Sequence, residues 1–210
     1  DSISDGTALA SWVDKSNAPA ISVAQATSAS QPLYKTGIFG TKPGVRFDGA
    51  NDFFAAAPVR TTAGGYHVFV ASQRPNSGLG DNSGGYLIKE AAWNLSPGSG
   101  NGQYVSFVSK QSAESGATLT NIKLGRDTAN SSYDFGGDMG EIMIFTRKLG
   151  LTEEQMVEGY LAHKWGGTAA LARDRPYKDV APVFDNSPKL TPVLGQVGYD
   201  TVTRDGLLGE

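Results

Sequence analysis

The chain has 210 residues, of which 39% are hydrophobic and 10% aromatic. That is enough apolar material for a packed core, and the length suits one domain with an appendage rather than a disordered chain. With 18 basic and 21 acidic residues (net −3), no Lys/Arg run, no bilayer-length apolar stretch and no Cys, it gives little support to nucleic-acid binding and excludes a membrane-spanning helix and thiol chemistry.

Most of the chain reads as short strands between turn clusters, and its 27 glycines, with abundant Ser, Thr and Asn, supply the turns that an all-β fold consumes. Ala8–Val13 alternates and stops at an Asp14–Asn17 turn. Gly44–Phe47 is closed by Asp48-Gly-Ala-Asn-Asp52 and followed by Phe53–Ala57, which predicts a hairpin with polar residues at its tip. Tyr66–Ala71 alternates as a core strand, with His67 on the face opposite Val68 and Val70. Gly85–Lys89, Gln103–Ser109 and Thr118–Leu124 are further strand candidates. Gly140–Phe145 carries the strongest strand signal.

One helix interrupts this pattern. Thr152 is a good N-cap, Gln155 would complete a capping box, and Glu153 and Glu154 suit the positive end of the helix dipole. Met156, Val157, Tyr160 and Leu161 recur at helical spacing, and Gly166-Gly167 ends the run. The expectation is one short C-terminal amphipathic helix on a two-sheet sandwich. Beyond Ala181-Pro182 the chain is punctuated by Pro188 and Pro192, so 1–182 is the predicted domain and 183–210 a tail or linker. No internal repeat points to a solenoid or propeller.

Three segments, in order, resemble the concanavalin A-like lectin/glucanase superfamily in its bacterial laminin G/pentraxin-like branch. They are Leu9-Ala-Ser-Trp-Val-Asp-Lys-Ser16, Gly44-Val-Arg-Phe-Asp-Gly-Ala-Asn-Asp52, and the stretch from Leu124-Gly-Arg126 through Gly137–Phe145 to Glu158–Gly166, with Pro176-Tyr-Lys178 following. The resemblance implies an antiparallel jelly roll, but that fold hosts lectins, hydrolases, adhesion modules and virion proteins alike. Members of the family usually begin with a strand before the Trp-containing motif. Nothing precedes Asp1 to supply it, so an unpaired sheet edge is expected.

Retaining glycosidases of this fold need two nearby carboxylates on one strand face, as Glu-x-Asp-x-x-Glu. Asp138-Met-Gly-Glu141 is the nearest match, with Gly136 where the first Glu would stand, so the chain reads as no enzyme and both carboxylates as structural. His67 lies in a strand, His163 at a helix end is a dipole and packing residue, and no nucleophile elbow accompanies either. No cofactor is fixed. Calcium is the candidate for the oxygen-rich stretches Asp48–Asp52, Asp81-Asn82-Ser83 and Asp127–Asp134, although turn amides are the better explanation for Asp48, Asn51 and Asp52. For sugar binding, Trp93-Asn94 offers a flat ring beside a planar amide, with Tyr86, Asp81 and Asn82 as neighbours, against the alternative that Trp93 faces the core. Trp12 and Trp165 read as structural.

The functional expectation is a non-catalytic carbohydrate-binding or adhesion module, extracellular or on a cell or virion surface, whose partner is a glycan or a neighbouring protein subunit. Any targeting segment would lie upstream or have been removed. The alternative is a structural subunit, a virion decoration protein or surface filament, joined by strand addition from its tail.

Overall fold

The computed structural model describes residues 3–15, 22–56, 60–61, 65–74, 85–89, 94–96, 106–112, 118–119, 122–127 and 133–183. Among these, one sheet runs in the order β1 (Ser11–Trp12), β2 (Val23–Ala24), β5 (Phe54–Ala55), β12 (Lys123–Leu124), β8 (Ile88–Lys89) and β9 (Asn94–Leu95). The second runs β10 (Ser106–Ser112), β7 (Tyr66–Gln73), β13 (Gly136–Phe145), β4 (Lys42–Asp48) and β3 (Leu33–Phe39), and β6 (Arg60–Thr61) pairs separately with β11 (Thr118–Leu119). Every pairing is antiparallel. The all-β, two-sheet architecture with one helix is therefore as expected.

The layers follow from which faces are apolar. Phe47, Val68, Val70, Met139, Ile142 and Ile144 of the second sheet meet Phe54, Ile88, Leu95 and Leu124 of the first, forming the core between them. Phe69, Met143 and Phe145 point the other way and meet Val157, Leu161 and Trp165 of the helix α1 (Leu151–Trp165). Strands β7 and β13 are thus buried on both faces, which accounts for the apolar run Ile142–Phe145 and means that the face of Tyr66–Ala71 opposite Val68 and Val70 is buried too. The register of β13 shifts between Met139 and Glu141. A side chain at Gly140 would place its Cβ 2.7 Å from the Trp165 ring. Only glycine lets the helix settle that closely on the strand.

Several local expectations change. The segment Asp48–Asp52 turns the chain, but β4 and β5 enter different sheets, so it is a crossover between layers and not a hairpin tip. The helix cap is Gly150, not Thr152. The backbone N–H of Gly150 donates to the Glu153 carboxylate at 3.0 Å, and that of Glu154 to the Gly150 carbonyl at 2.9 Å. Met156 and Tyr160 are only half-buried, and the buried stripe is Val157, Leu161, Ala162 and Trp165.

The expectation of an unpaired edge is not met at the β3 border of the five-stranded sheet, whereas β10 forms its other border. Along β3, Gly6 N–H donates to the Tyr34 carbonyl at 2.8 Å, Tyr34 N–H to Thr7 at 2.8 Å, and Leu9 N–H to Pro32 at 2.9 Å. Asp5 adds hydrogen bonds from the Thr36 amide and hydroxyl, and pairs with Lys35. Residues 5–9 therefore cover that border of the sheet. The expected tail, 183–210, lies outside the described residues except for Val183.

Candidate functional site

The two carboxylates of the central strand both lie on its helix-facing side, and both are occupied. Asp138 is fully buried and accepts from Arg46 Nε at 2.7 Å, from Arg46 Nη2 at 3.0 Å and from Gln73 Nε2 at 3.1 Å. Gln73 also donates to the Ile38 carbonyl. Glu141, equally buried, accepts from Trp165 Nε1 at 2.7 Å and Tyr160 Oη at 3.3 Å, and lies 3.2 Å from Lys164 Nζ. Burial pushes the Glu141 carboxyl up, while Lys164, Trp165 and Tyr160 pull it down. The helix sits over Glu141, so Asp138 clamps β13 to its neighbours β4 and β7 within one sheet, and Glu141 clamps that sheet to the helix. His163 Nε2 lies 3.0 Å from the Tyr177 carbonyl, a packing role at the helix end.

The turn at 48–52 satisfies its own amides. Asp48 Oδ1 accepts from the N–H groups of Ala50, Asn51 and Asp52 at 2.9 to 3.0 Å, and Asp52 Oδ2 accepts from Asp48 N–H at 3.0 Å. Those amides hold the Asp48 carboxyl low despite its partial burial. Asp134 is fully buried in a fork with Arg126 Nε (3.0 and 3.1 Å) and Nη2 (2.8 Å). No group of three or more metal-ligating side chains occurs among the described residues.

The outward face of the six-stranded sheet holds a different arrangement. Leu124 pairs with Phe54 and Ile88, and Ile88 with Leu95, and all four are buried in the core. The alternate residues therefore face away: Ala24 pairs with Ala55, Ala55 with Lys123 and Lys123 with Lys89, and Lys89 lies opposite the backbone position of Asn94. Lys89 Nζ lies 5.7 Å from the Tyr86 ring centre, and Tyr86 stacks on Tyr133 at 5.2 Å and 19°. Lys123 Nζ lies 5.6 Å from the Phe53 ring centre and the Arg126 guanidinium 4.6 Å from it. A strip of rings and cations thus runs across β8, β12 and β5.

Of the residues singled out for sugar binding, the structure brings Tyr86 and the backbone position of Asn94 to the two sides of Lys89, the first under its ammonium group and the second opposite it on β9. Trp93, Asp81 and Asn82 lie outside the described residues. Sequence reasoning missed Tyr133, Lys89, Lys123, Phe53 and Arg126. Lys89 and Lys123 each flank a buried aliphatic, which marked them as outward-facing, but only the strand register makes them neighbours.

His67 is fully buried on the helix-facing side of β7, stacked on Phe69 at 4.2 Å, and neither ring nitrogen has a hydrogen-bond partner. Burial, reinforced by Lys148, pushes the imidazole from 6.5 down to about 4. Asp52 moves the other way, from 3.8 to about 6, through burial and the neighbouring Asp48. Between pH 6.5 and 4 the unfolded chain protonates His67 while the folded chain does not, so stability falls with pH, by up to about 3 kcal/mol. Over nearly the same window the folded chain protonates Asp52 before the unfolded chain does, which raises stability by a similar order and masks the loss. We therefore predict that His67→Phe becomes relatively more stable than the wild type as acidity increases, whereas Asp52→Asn loses stability more steeply. Urea unfolding at neutral pH and near pH 4.5 reads both slopes. Parallel slopes for wild type and His67→Phe would refute the assignment.

No protein-family model, no curated protein and no solved structure matches this chain. No helix of the described residues is long and apolar enough to cross a membrane.

Proposed function

We propose that the chain is a non-catalytic extracellular carbohydrate-binding or adhesion module, a concanavalin A-like sandwich with jelly-roll winding. The observation that carries this reading is the stacked Tyr86–Tyr133 pair just before β8 of the six-stranded sheet, with Tyr133 38% exposed. An exposed phenol ring backed by a second ring is a rigid apolar platform with a polar tip, the surface that a pyranose face and its hydroxyls require. The backbone N–H of Tyr86 donates to the Tyr133 carbonyl at 2.9 Å, which fixes the two rings in register. The absence of catalysis is argued from the carboxylates: the hydrogen bonds of Asp138 and Glu141 are spent on holding elements together.

A glycan array, followed by calorimetry with and without calcium, tests the proposal. Tyr133→Ala should weaken binding to a hit by about tenfold, roughly one aromatic contact, while leaving the melting temperature within a few degrees. A chain that binds no glycan under either condition would sink it. The second reading, a structural subunit of a virion or surface filament, is favoured by the border position of the seven-residue β10. It is disfavoured at the opposite border, which residues 5–9 already cover. Oligomers that vanish on removal of residues 183–210, in a glycan-negative chain, would favour that reading instead.

A further inference from the structure

Lys89 and Lys123 are register partners on the outer face of the six-stranded sheet. Directly opposed side chains on adjacent antiparallel strands have their Cβ atoms about 5 Å apart, and like charges in that position are destabilising. The usual relief is a carboxylate neighbour, and among the described residues neither lysine forms an ion pair. Arg126, by contrast, is matched by the buried Asp134. Each lysine instead lies beside an aromatic ring, Lys89 by Tyr86 and Lys123 by Phe53. Cation–π contact orients an ammonium group while leaving its hydrogens free to donate. A chain with net charge −3 thus holds two adjacent cations, half-exposed, flanked by rings and without a carboxylate partner among the described residues, on the outward face of the sheet.

We propose that this strip binds an anionic glycan, a polysaccharide of uronate residues, with Lys89 and Lys123 donating to ring carboxylates and the Tyr86–Tyr133 platform taking the sugar face. The inference rests on the carbohydrate-binding reading above and adds the ligand's charge. Two ammonium groups one strand apart suit a carboxylate oxygen pair, and the rings beside them suit the pyranose that bears it. The row continues through the backbone position of Asn94, opposite Lys89. That gives the site a direction, across the strands rather than along them. Because removing a like-charge pair relieves repulsion, the double substitution Lys89→Gln/Lys123→Gln should leave the fold as stable or slightly more stable, so lost binding cannot be put down to unfolding.

Calorimetry at low and moderate salt would use polygalacturonate, neutral dextran and a single-stranded oligodeoxynucleotide as probes. The expected result is polygalacturonate binding that weakens with salt and falls at least about tenfold in the double variant, with dextran and the oligonucleotide bound poorly or not at all. Equal binding of the oligonucleotide would overturn the inference by exposing a non-specific polyanion surface. Glycan binding that is indifferent to the substitutions would overturn it too, yet leave the carbohydrate-binding reading in place. A chain that binds none of these probes and no array glycan would end both.

Discussion

Trp165→Ala should lower the free energy of unfolding by about 5 kcal/mol, close to the full stability of many domains. The side chain is 1% exposed. It packs edge-on to Phe39 at 5.1 Å and covers Gly140, so its removal leaves a cavity at the only described interface between helix and sheet. The indole also donates to the fully buried Glu141 at 2.7 Å, so the truncation strips a donor from a buried carboxylate as well. Trp165→Phe separates the two contributions. It keeps most of the ring and loses the N–H, and an unsatisfied buried acceptor costs about 1–3 kcal/mol. In the Glu141→Gln background Trp165→Phe strands a neutral amide oxygen rather than a carboxylate, which costs less, so the combined change should be less than additive, as urea unfolding of the four proteins would reveal. A fully additive cycle would mean that the indole N–H and the carboxylate are not coupled.

Local chemistry was legible in this sequence, and pairing was not. The apolar run Gly140–Phe145 announced β13, and the acidic first turn with apolar spacing announced α1. The helix start was misplaced because Thr152 is the better capping residue by type, whereas Glu153 reaching back to the Gly150 amide decides the matter in space. The turn at Asp48–Asp52 was read correctly as self-satisfying. Turn residues do not reveal which sheet the next strand joins, and here β5 crosses to the other layer. Strand β3 went unseen because most of its side chains are exposed or half-buried and Gly37, at φ 67°, breaks its regularity. The same limit governs the candidate site. Tyr86 was visible as an aromatic between turns, but the contact of Lys89 with Lys123 depends on a register between strands remote in sequence. No periodicity encodes that.

Arg46→Ala should cost about 3–5 kcal/mol, because among the described residues it leaves the fully buried Asp138 with Gln73 as its one remaining side-chain donor. The guanidinium now meets both carboxylate oxygens, at 2.7 and 3.0 Å, from the strand next to Asp138. Most of that cost belongs to the stranded charge and not to the pair. An apolar replacement of both partners, Arg46→Met with Asp138→Leu, should therefore recover most of the loss. Equilibrium unfolding of the two variants distinguishes this account from its rival, in which the pair is an idle surface contact and Arg46→Ala costs under about 1 kcal/mol. The comparison also bears on function. If Asp138 served chemistry, its replacement would be felt in glycan turnover. If it clamps β4 to β13, the double apolar variant should fold and still bind glycan, because the strip of rings and cations lies on the other sheet. Binding that survives in that variant would place recognition and the carboxylate clamp on opposite sides of the sandwich, as two independent parts of one fold.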